Sequence, residues 1–154
     1  MNSNADMTGA ACREVAHGSH EYSATVEMRN ELLRKPLGLA LDPAQLATES
    51  DSYHITCYLN EELAGCLVLV PQSEQQVKMR QFVVAEQFRG KGVGRRLVTW
   101  AEKFCRGRGF TELVMHAREA AREFYEKLGY EIDGERFIEV TIPHYSMHKT
   151  LTLS

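Results

Sequence analysis

Apolar residues recur along this chain at two periods, and the switch between them marks out the elements. From Tyr53 to Ala85 they come in short extended blocks. Tyr53 to Leu59 reads as one strand, Asn60-Glu61-Glu62 as a turn and Leu63 to Val70 as the next strand. After the polar stretch Pro71 to Gln76, Lys78 to Ala85 reads as a third strand, ending in the apolar run Phe82-Val83-Val84-Ala85. From Val93 the period lengthens. Apolar residues at 93, 97, 100, 101, 104 and 105 make the stripe of an amphipathic helix. Arg106-Gly107-Arg108-Gly109 ends it, with glycine available for a left-handed cap. Thr111 to His116 then predicts a strand, and Arg118 to Leu128 a second helix carrying Ala121, Phe124, Tyr125 and Leu128 on one stripe. Tyr130 to Ile132, Phe137 to Thr141 and Tyr145 to Leu151 predict short terminal strands.

The N-terminal third gives a weaker pattern. Met1 to about His20 is polar and small, so residues 1–20 are expected to be disordered and residues 21–154 to form the folded domain. Glu21 to Arg34 is expected to start extended, through Tyr22, Ala24 and Val26, and to become helical around Arg29 to Leu33. Lys35-Pro36-Leu37-Gly38 closes that stretch, and Leu39 to Ser50 reads as loop or partial helix. Hairpins, then strand–helix–strand–helix, then a terminal hairpin define a mixed α/β (α+β) fold. Its central sheet is expected to be mostly antiparallel and flanked by helices.

Between the third strand and the long helix lies Arg89-Gly90-Lys91-Gly92-Val93-Gly94. Glycines at alternate positions remove the Cβ atoms that would hold a ligand away from the backbone. The first amides of the following helix have no intrahelical acceptor and lie at the positive end of its dipole. A loop of this kind suits an anion, above all a phosphate. It is not a Walker loop, because Lys91 precedes Gly92 and no hydroxyl follows. Nor is it the dinucleotide fingerprint, which needs glycine where Arg95 stands.

Composition narrows the choice of ligand. With 154 residues, 44% hydrophobic and 25% charged, the chain has the make-up of one globular domain able to bury its own core. No apolar run approaches the roughly 18 residues of a membrane span, and the N-terminus lacks the apolar stretch of a signal peptide, which together predict a cytoplasmic protein. Cys12, Cys57, Cys66 and Cys105 have no metal-ligand spacing, and His17 with His20 lacks a third ligand, so no metal is expected. The net charge of −3 hides a focus. Arg89, Lys91, Arg95, Arg96, Lys103, Arg106 and Arg108 stand against Glu102 alone in the stretch 89–108. Such a patch fits a polyanionic cofactor. Nucleic acid is the weaker reading, since no exposed aromatic cluster offers bases a stacking surface.

Read as R/Q-x-x-G-x-G/A, the stretch from Arg89 to Gly94 resembles the pyrophosphate-binding signature of the GNAT superfamily of acyl-CoA-dependent N-acyltransferases. The stretch Ala121-Arg122-Glu123-Phe124-Tyr125-Glu126-Lys127-Leu128-Gly129-Tyr130 is similar to the A-x-x-[FL]-Y-x-K-x-G-[FY] helix of that family. Residues 137–147 are similar to the F-x-E-x-x-I-P-H-x-x-M ending of its small bacterial ElaA-like branch. The resemblance spans about Tyr22 to Leu151 and implies a GNAT-like domain using acetyl-CoA or another acyl-CoA as co-substrate, without a metal.

It further implies direct attack of a primary amine, on a small molecule or a protein, on the thioester within a ternary complex. Phe82, Val83 and Val84 would pair through their backbone with the pantetheine arm. Arg89, Gly90, Lys91, Gly92, Val93, Gly94 and Arg95 would hold the pyrophosphate, and Tyr125 would protonate the departing thiolate. The family's glutamate on the strand before the loop has no counterpart, since Lys78-Met79-Arg80-Gln81 carries no carboxylate. His116, Glu139 and His144 are therefore candidates for the base; Glu139 could also orient a histidine, but it is placed first as a residue that binds the substrate ammonium. Arg118 replaces the family's usual asparagine seven residues before the tyrosine. The alternative is a non-catalytic module that binds or senses acyl-CoA. Neither a nucleic-acid nor a membrane partner is expected, and a homodimer is left open.

Overall fold

The computed structural model describes residues 10–152. A seven-stranded sheet with the order β1-β2-β3-β4-β5-β7-β6 organises them. The strands are β1 (Ala10–Val15), β2 (Tyr53–Leu59), β3 (Glu62–Pro71), β4 (Gln76–Val84), β5 (Glu112–Arg118), β6 (Glu131–Glu139) and β7 (Ile142–Thr150). Four α-helices accompany them among the described residues: α1 (His20–Arg29), α2 (Pro43–Thr48), α3 (Val93–Gly107) and α4 (Arg122–Lys127). Pairing is antiparallel for β1 with β2, β2 with β3, β5 with β7 and β6 with β7, and parallel for β4 with β5. The mixed, mostly antiparallel sheet expected from the sequence is the sheet observed. No helix among the described residues is long and apolar enough to cross a membrane.

Two compact units divide these residues, one formed by 10–70 with 81–101 and the other by 71–80 with 102–152. In the first unit, Ile55, Leu67, Leu69, Val93, Leu97 and Val98 are almost wholly buried. Helix α3 contributes to that core through the predicted stripe. Asn60 and Glu61 both have positive φ, the geometry of a tight hairpin turn, and join β2 to β3 where a turn was expected. A charged cluster lies among the apolar residues. Arg29, at the end of α1 and 0% exposed, donates to Glu49 from Nη1 at 3.0 Å and from Nη2 at 2.6 Å. Tyr22 donates its hydroxyl to the same carboxylate at 2.8 Å. Arg29 Nε also reaches Gln81 Oε1 at 3.3 Å, in β4, where Gln81 has a φ of 54°.

In the second unit, Val77, Leu113, Met115, Tyr125, Tyr130, Met147 and Leu151 form the core. Buried Glu102 accepts from the Tyr130 hydroxyl at 2.7 Å and from Lys149 Nζ at 2.9 Å. Lys149 also donates to the Leu128 carbonyl at 2.7 Å, so this network pins the chain just after α4.

Three expectations are corrected. Of the segment 1–20 expected to be disordered, residues 10–15 form β1, paired along its length with β2, and His20 begins α1; residues 1–9 lie outside the described residues. The strand was hidden because Val15 is its one buried side chain, so pairing there is a matter of backbone rather than apolar pattern. The extended start expected at Tyr22, Ala24 and Val26 is instead helical. Ser19 caps α1 by accepting from the Tyr22 amide at 3.1 Å, and the buried residues Tyr22, Thr25 and Arg29 share one helical face. The helix expected from Arg118 begins at Arg122: Arg118 closes β5, and Glu119–Ala121 make one turn of 3-10 helix before α4. Smaller shifts occur in the terminal hairpin, where Glu131–Glu139 is one strand with an irregularity between Asp133 and Phe137.

The buried pair predicts the acid limb of stability. Burial opposes ionisation of Glu49, but Arg29 outweighs it and holds the carboxyl below its ordinary value of 4.5. Its contribution is complete above that value and is lost as pH falls through the lower, folded one. Burial also lowers His54, so the unfolded chain takes up that proton first as pH drops below about 6.5. Both groups therefore cost stability in acid. Glu49→Gln leaves Arg29 buried without its counter-charge and should cost about 3–5 kcal/mol in urea unfolding at pH 7. It should also flatten the fall in stability below pH 5. A variant as stable as the parent, with an unchanged acid limb, would contradict this account.

Candidate active site

The glycine loop is built by the break in β4 and the start of α3. Beyond Val84, the amide of Ala85 returns to the Ala64 carbonyl at 2.7 Å and anchors the strand end to β3. Gly65 lets the backbones approach there, since a Cβ on it would stand 2.8 Å from the Val83 carbonyl oxygen. One turn of 3-10 helix, Glu86–Phe88, leads into extended Arg89. Gly90 (φ 77°) and Gly92 (φ 85°) then turn the chain in the left-handed region that other residues rarely adopt. The Arg96 amide bonds back to the Gly92 carbonyl at 3.1 Å and opens the helical ladder. The amides of Val93, Gly94 and Arg95 precede that bond, at the positive end of a fifteen-residue helix. Arg89, Lys91 and Arg95 are exposed around them, while the Val93 side chain is buried beneath. A strand end, an amide cluster and flexible cations are thus combined in one unit. That arrangement can hold a phosphate ester.

In the other unit, β5, β6 and β7 bring three predicted residues together. His116 Nδ1 donates to Glu139 Oε1 at 2.8 Å, and His144 Nε2 lies 3.7 Å from Glu139 Oε2. Register explains the meeting: His116 pairs with Ser146, Arg118 with His144, Phe137 with His144 and Glu139 with Ile142. Phe137 fills the space between the rings, edge-on to His116 at 5.0 Å and stacked on His144 at 5.9 Å. The His144 Nδ1–H donates to the Ile142 carbonyl at 2.7 Å, which fixes that ring, and His144 is buried whereas His116 is exposed. Burial works against ionisation of Glu139, but His116, with smaller help from His144 and Lys78, keeps it below the ordinary carboxyl range. An ionised Glu139 holds the proton of His116 on Nδ1 and leaves the Nε2 lone pair as the basic face.

Tyr125 lies on α4, 4% exposed, with Phe124 edge-on at 5.1 Å and Tyr130 edge-on at 5.7 Å. Burial pushes its phenol well above the ordinary range, so it stays protonated throughout the neutral region. Gly129 (φ 96°) and the Glu102–Lys149–Tyr130 network fix the end of its helix. Sequence reasoning missed Arg29, Glu49, Gln81 and Gly65. None stands in a recognisable motif, and only the buried charge of Arg29 and Glu49 could be found by pattern, had α1 been read as a helix. His17, set aside as a metal ligand, bonds the Leu46 carbonyl through Nε2 at 2.9 Å.

The acetyltransferase (GNAT) family model matches residues 19–130, and the chain belongs to that family. It is 32% identical to YyaT of Bacillus subtilis over 75 residues, which are 49% of this chain and 51% of that protein. The chain thus spans about half the length of that curated relative. The structure of a putative N-acetyltransferase from Lactobacillus plantarum superposes with a TM-score of 0.81 at 26% identity, covering 92% of this chain and 99% of that one. Escherichia coli ElaA (TM-score 0.77, 20% identity, 91% and 99% covered) has the same fold. So has an aminoglycoside 6'-N-acetyltransferase crystallised with coenzyme A (TM-score 0.77, 19% identity, 92% and 97% covered).

The histidine–carboxylate geometry is open to direct test. Nitrogen-detected NMR at pH 8 should find neutral His116 as the Nδ1–H tautomer. Glu139→Gln should shift it toward Nε2–H, with the fold unchanged by amide spectra. An Nε2–H tautomer in the parent protein would remove Glu139 as the orienting group.

Proposed function

We propose that the protein transfers an acetyl or other acyl group from acyl-CoA to a primary amine of a small molecule or protein, by direct attack in a ternary complex. The observation that carries this reading is the loop, with Gly90 and Gly92 in the left-handed region, helix-start amides and exposed cations, in a chain of the GNAT family. Those amides and Arg89, Lys91 and Arg95 would bind the pyrophosphate. Charge-assisted hydrogen bonds contribute about 1.5–3 kcal/mol each, so a few give micromolar affinity. Phe82, Val83 and Val84 would receive the pantetheine arm as an added strand.

A lysine-type amine, with a pKa near 10.4, is only about 0.04% neutral at pH 7, so a base must take its proton before or during attack. We assign that role to His116 through Nε2, with Glu139 orienting the ring and His144, held by the Ile142 carbonyl, supporting Glu139. The amine nitrogen then forms its bond to the thioester carbon, the carbon–sulfur bond breaks, and Tyr125 gives its proton to the leaving thiolate. The raised pKa of Tyr125 suits an acid that must be protonated at rest. A sensing module without turnover would have no use for an oriented Nε2 face, and for that reason we prefer the catalytic reading.

Acetyl-CoA should raise the melting temperature by linkage, and Gly94→Glu should abolish the shift by placing bulk and negative charge where a phosphate belongs. A melting curve unmoved by millimolar CoA would contradict the assignment of the loop. Tyr125→Phe should leave CoA affinity unchanged and slow thiol release in the presence of an amine by roughly 10²–10⁴-fold. His116→Ala should slow turnover at equal CoA affinity and remove the acidic limb of the pH–rate profile. If both variants turn over like the parent, the residues carrying the proton transfers lie elsewhere.

A further inference from the structure

Cys12 and Cys57 are directly opposed across the β1–β2 ladder. Neither takes part in the reading above. Cys57 is 0% exposed at the sheet interior, while Cys12 is half-exposed near the sheet edge. The two thiols act on each other across the ladder, and the positive charge of the Arg96 guanidinium, one residue beyond the glycine-loop cations, acts on both. The other two cysteines are placed differently. Burial pushes Cys66 and Cys105 up to about 12, where a thiol is inert.

Backbone geometry decides whether the pair could be bridged. Directly opposed residues of an antiparallel pair have Cα atoms about 4.5 or 5.5 Å apart, and both spacings lie within the roughly 4.4–6.8 Å that a disulfide spans. Cβ atoms in such pairs stand about 4.5–5.5 Å apart, slightly wider than the roughly 3.5–4.5 Å of a relaxed bridge. A bond there would draw the strands together and be strained, hence readily reduced. Charge favours the first step. The neighbouring thiols act on each other, raising Cys12 and lowering Cys57, while the Arg96 charge favours a thiolate at either, so the pair gives up its first proton more easily than an isolated buried thiol.

We propose that Cys12 and Cys57 are an oxidisable dithiol, a modification site that forms a reversible cross-strand disulfide with a peroxide as co-reactant. The pair loses one proton to solvent and shares the other. The remaining proton moves from Cys12 to Cys57, the half-exposed Cys12 thiolate then attacks a peroxide oxygen, the O–O bond breaks, and Cys12 sulfenic acid and hydroxide result. The Cys57 thiol then attacks the Cys12 sulfur and water leaves. Two thiols and one hydrogen peroxide thus become one disulfide and two waters. The Arg96 guanidinium stabilises the thiolate of the first step.

The test needs only the unmodified protein. After brief treatment with hydrogen peroxide, intact mass should fall by two hydrogens. Digestion under non-reducing conditions should yield one linked peptide pair containing residues 12 and 57, and dithiothreitol should restore the starting mass. Cys66 and Cys105 should still be alkylated after denaturation. Arg96→Gln should slow bridging several-fold. The proposal is overturned if oxygen adducts build up on Cys12 without a bridge, if the bridge includes Cys66 or Cys105, if peroxide leaves all four thiols free, or if Arg96→Gln bridges at the parent rate.

Discussion

A buried ion pair, Arg29 with Glu49, holds strand β4 in an irregular conformation, and the course of the strand into the glycine loop depends on it. Gln81 has a φ of 54°, in a region a non-glycine residue enters at a cost of about 1–3 kcal/mol. It stays there because its side-chain oxygen is tied to Arg29, which Glu49 and, through Glu49, Tyr22 in turn hold. Buried ion pairs seldom stabilise a fold more than an apolar cluster of the same size would. What this one supplies is position. The ladder of β4 with β5 ends at Met79, Gln81 redirects the chain, and Phe82 to Val84 continue toward the loop with Val83 seated against Gly65.

In the other unit, a different polar network does comparable work. Glu102, Tyr130 and Lys149 secure the end of α4 and so the helix that carries Tyr125. The β6–β7 turn brings Glu139 back toward His144 through Val140 (φ 49°) and Thr141 (φ 64°), both β-branched and both in the left-handed region. Asparagine or glycine would fill those positions with less strain. That strain lies directly beside Glu139, where ring orientation depends on a short loop being rigid.

Legibility in the sequence follows where side chains, rather than backbone, carry the information. Helix α3 was readable because its apolar stripe is its packing face, and the glycine loop because its glycines are backbone requirements. The β2–β3 hairpin showed itself by alternating blocks with Asn60 at the turn. Strand β1 was not readable, since its side chains are mostly exposed and its pairing is made by amides and carbonyls. Helix α1 was misread because Tyr22, Ala24 and Val26 imitate a strand's alternation, although Ser19 stood ready as a cap. For the chemistry, His116, Glu139 and His144 were each nameable, but their meeting depends on the β5–β7–β6 register. That register rests on long-range pairing which no local pattern encodes.

Backbone amide exchange with and without CoA tests the central claim, that the break at Gln81 and the loop after β4 form the cofactor site. The account predicts slowed exchange at the amides within Phe82 to Val84 and Lys91 to Arg95, with little change in β1 and β6. Protection confined to other segments, or an exchange pattern unaltered by saturating CoA, would contradict it.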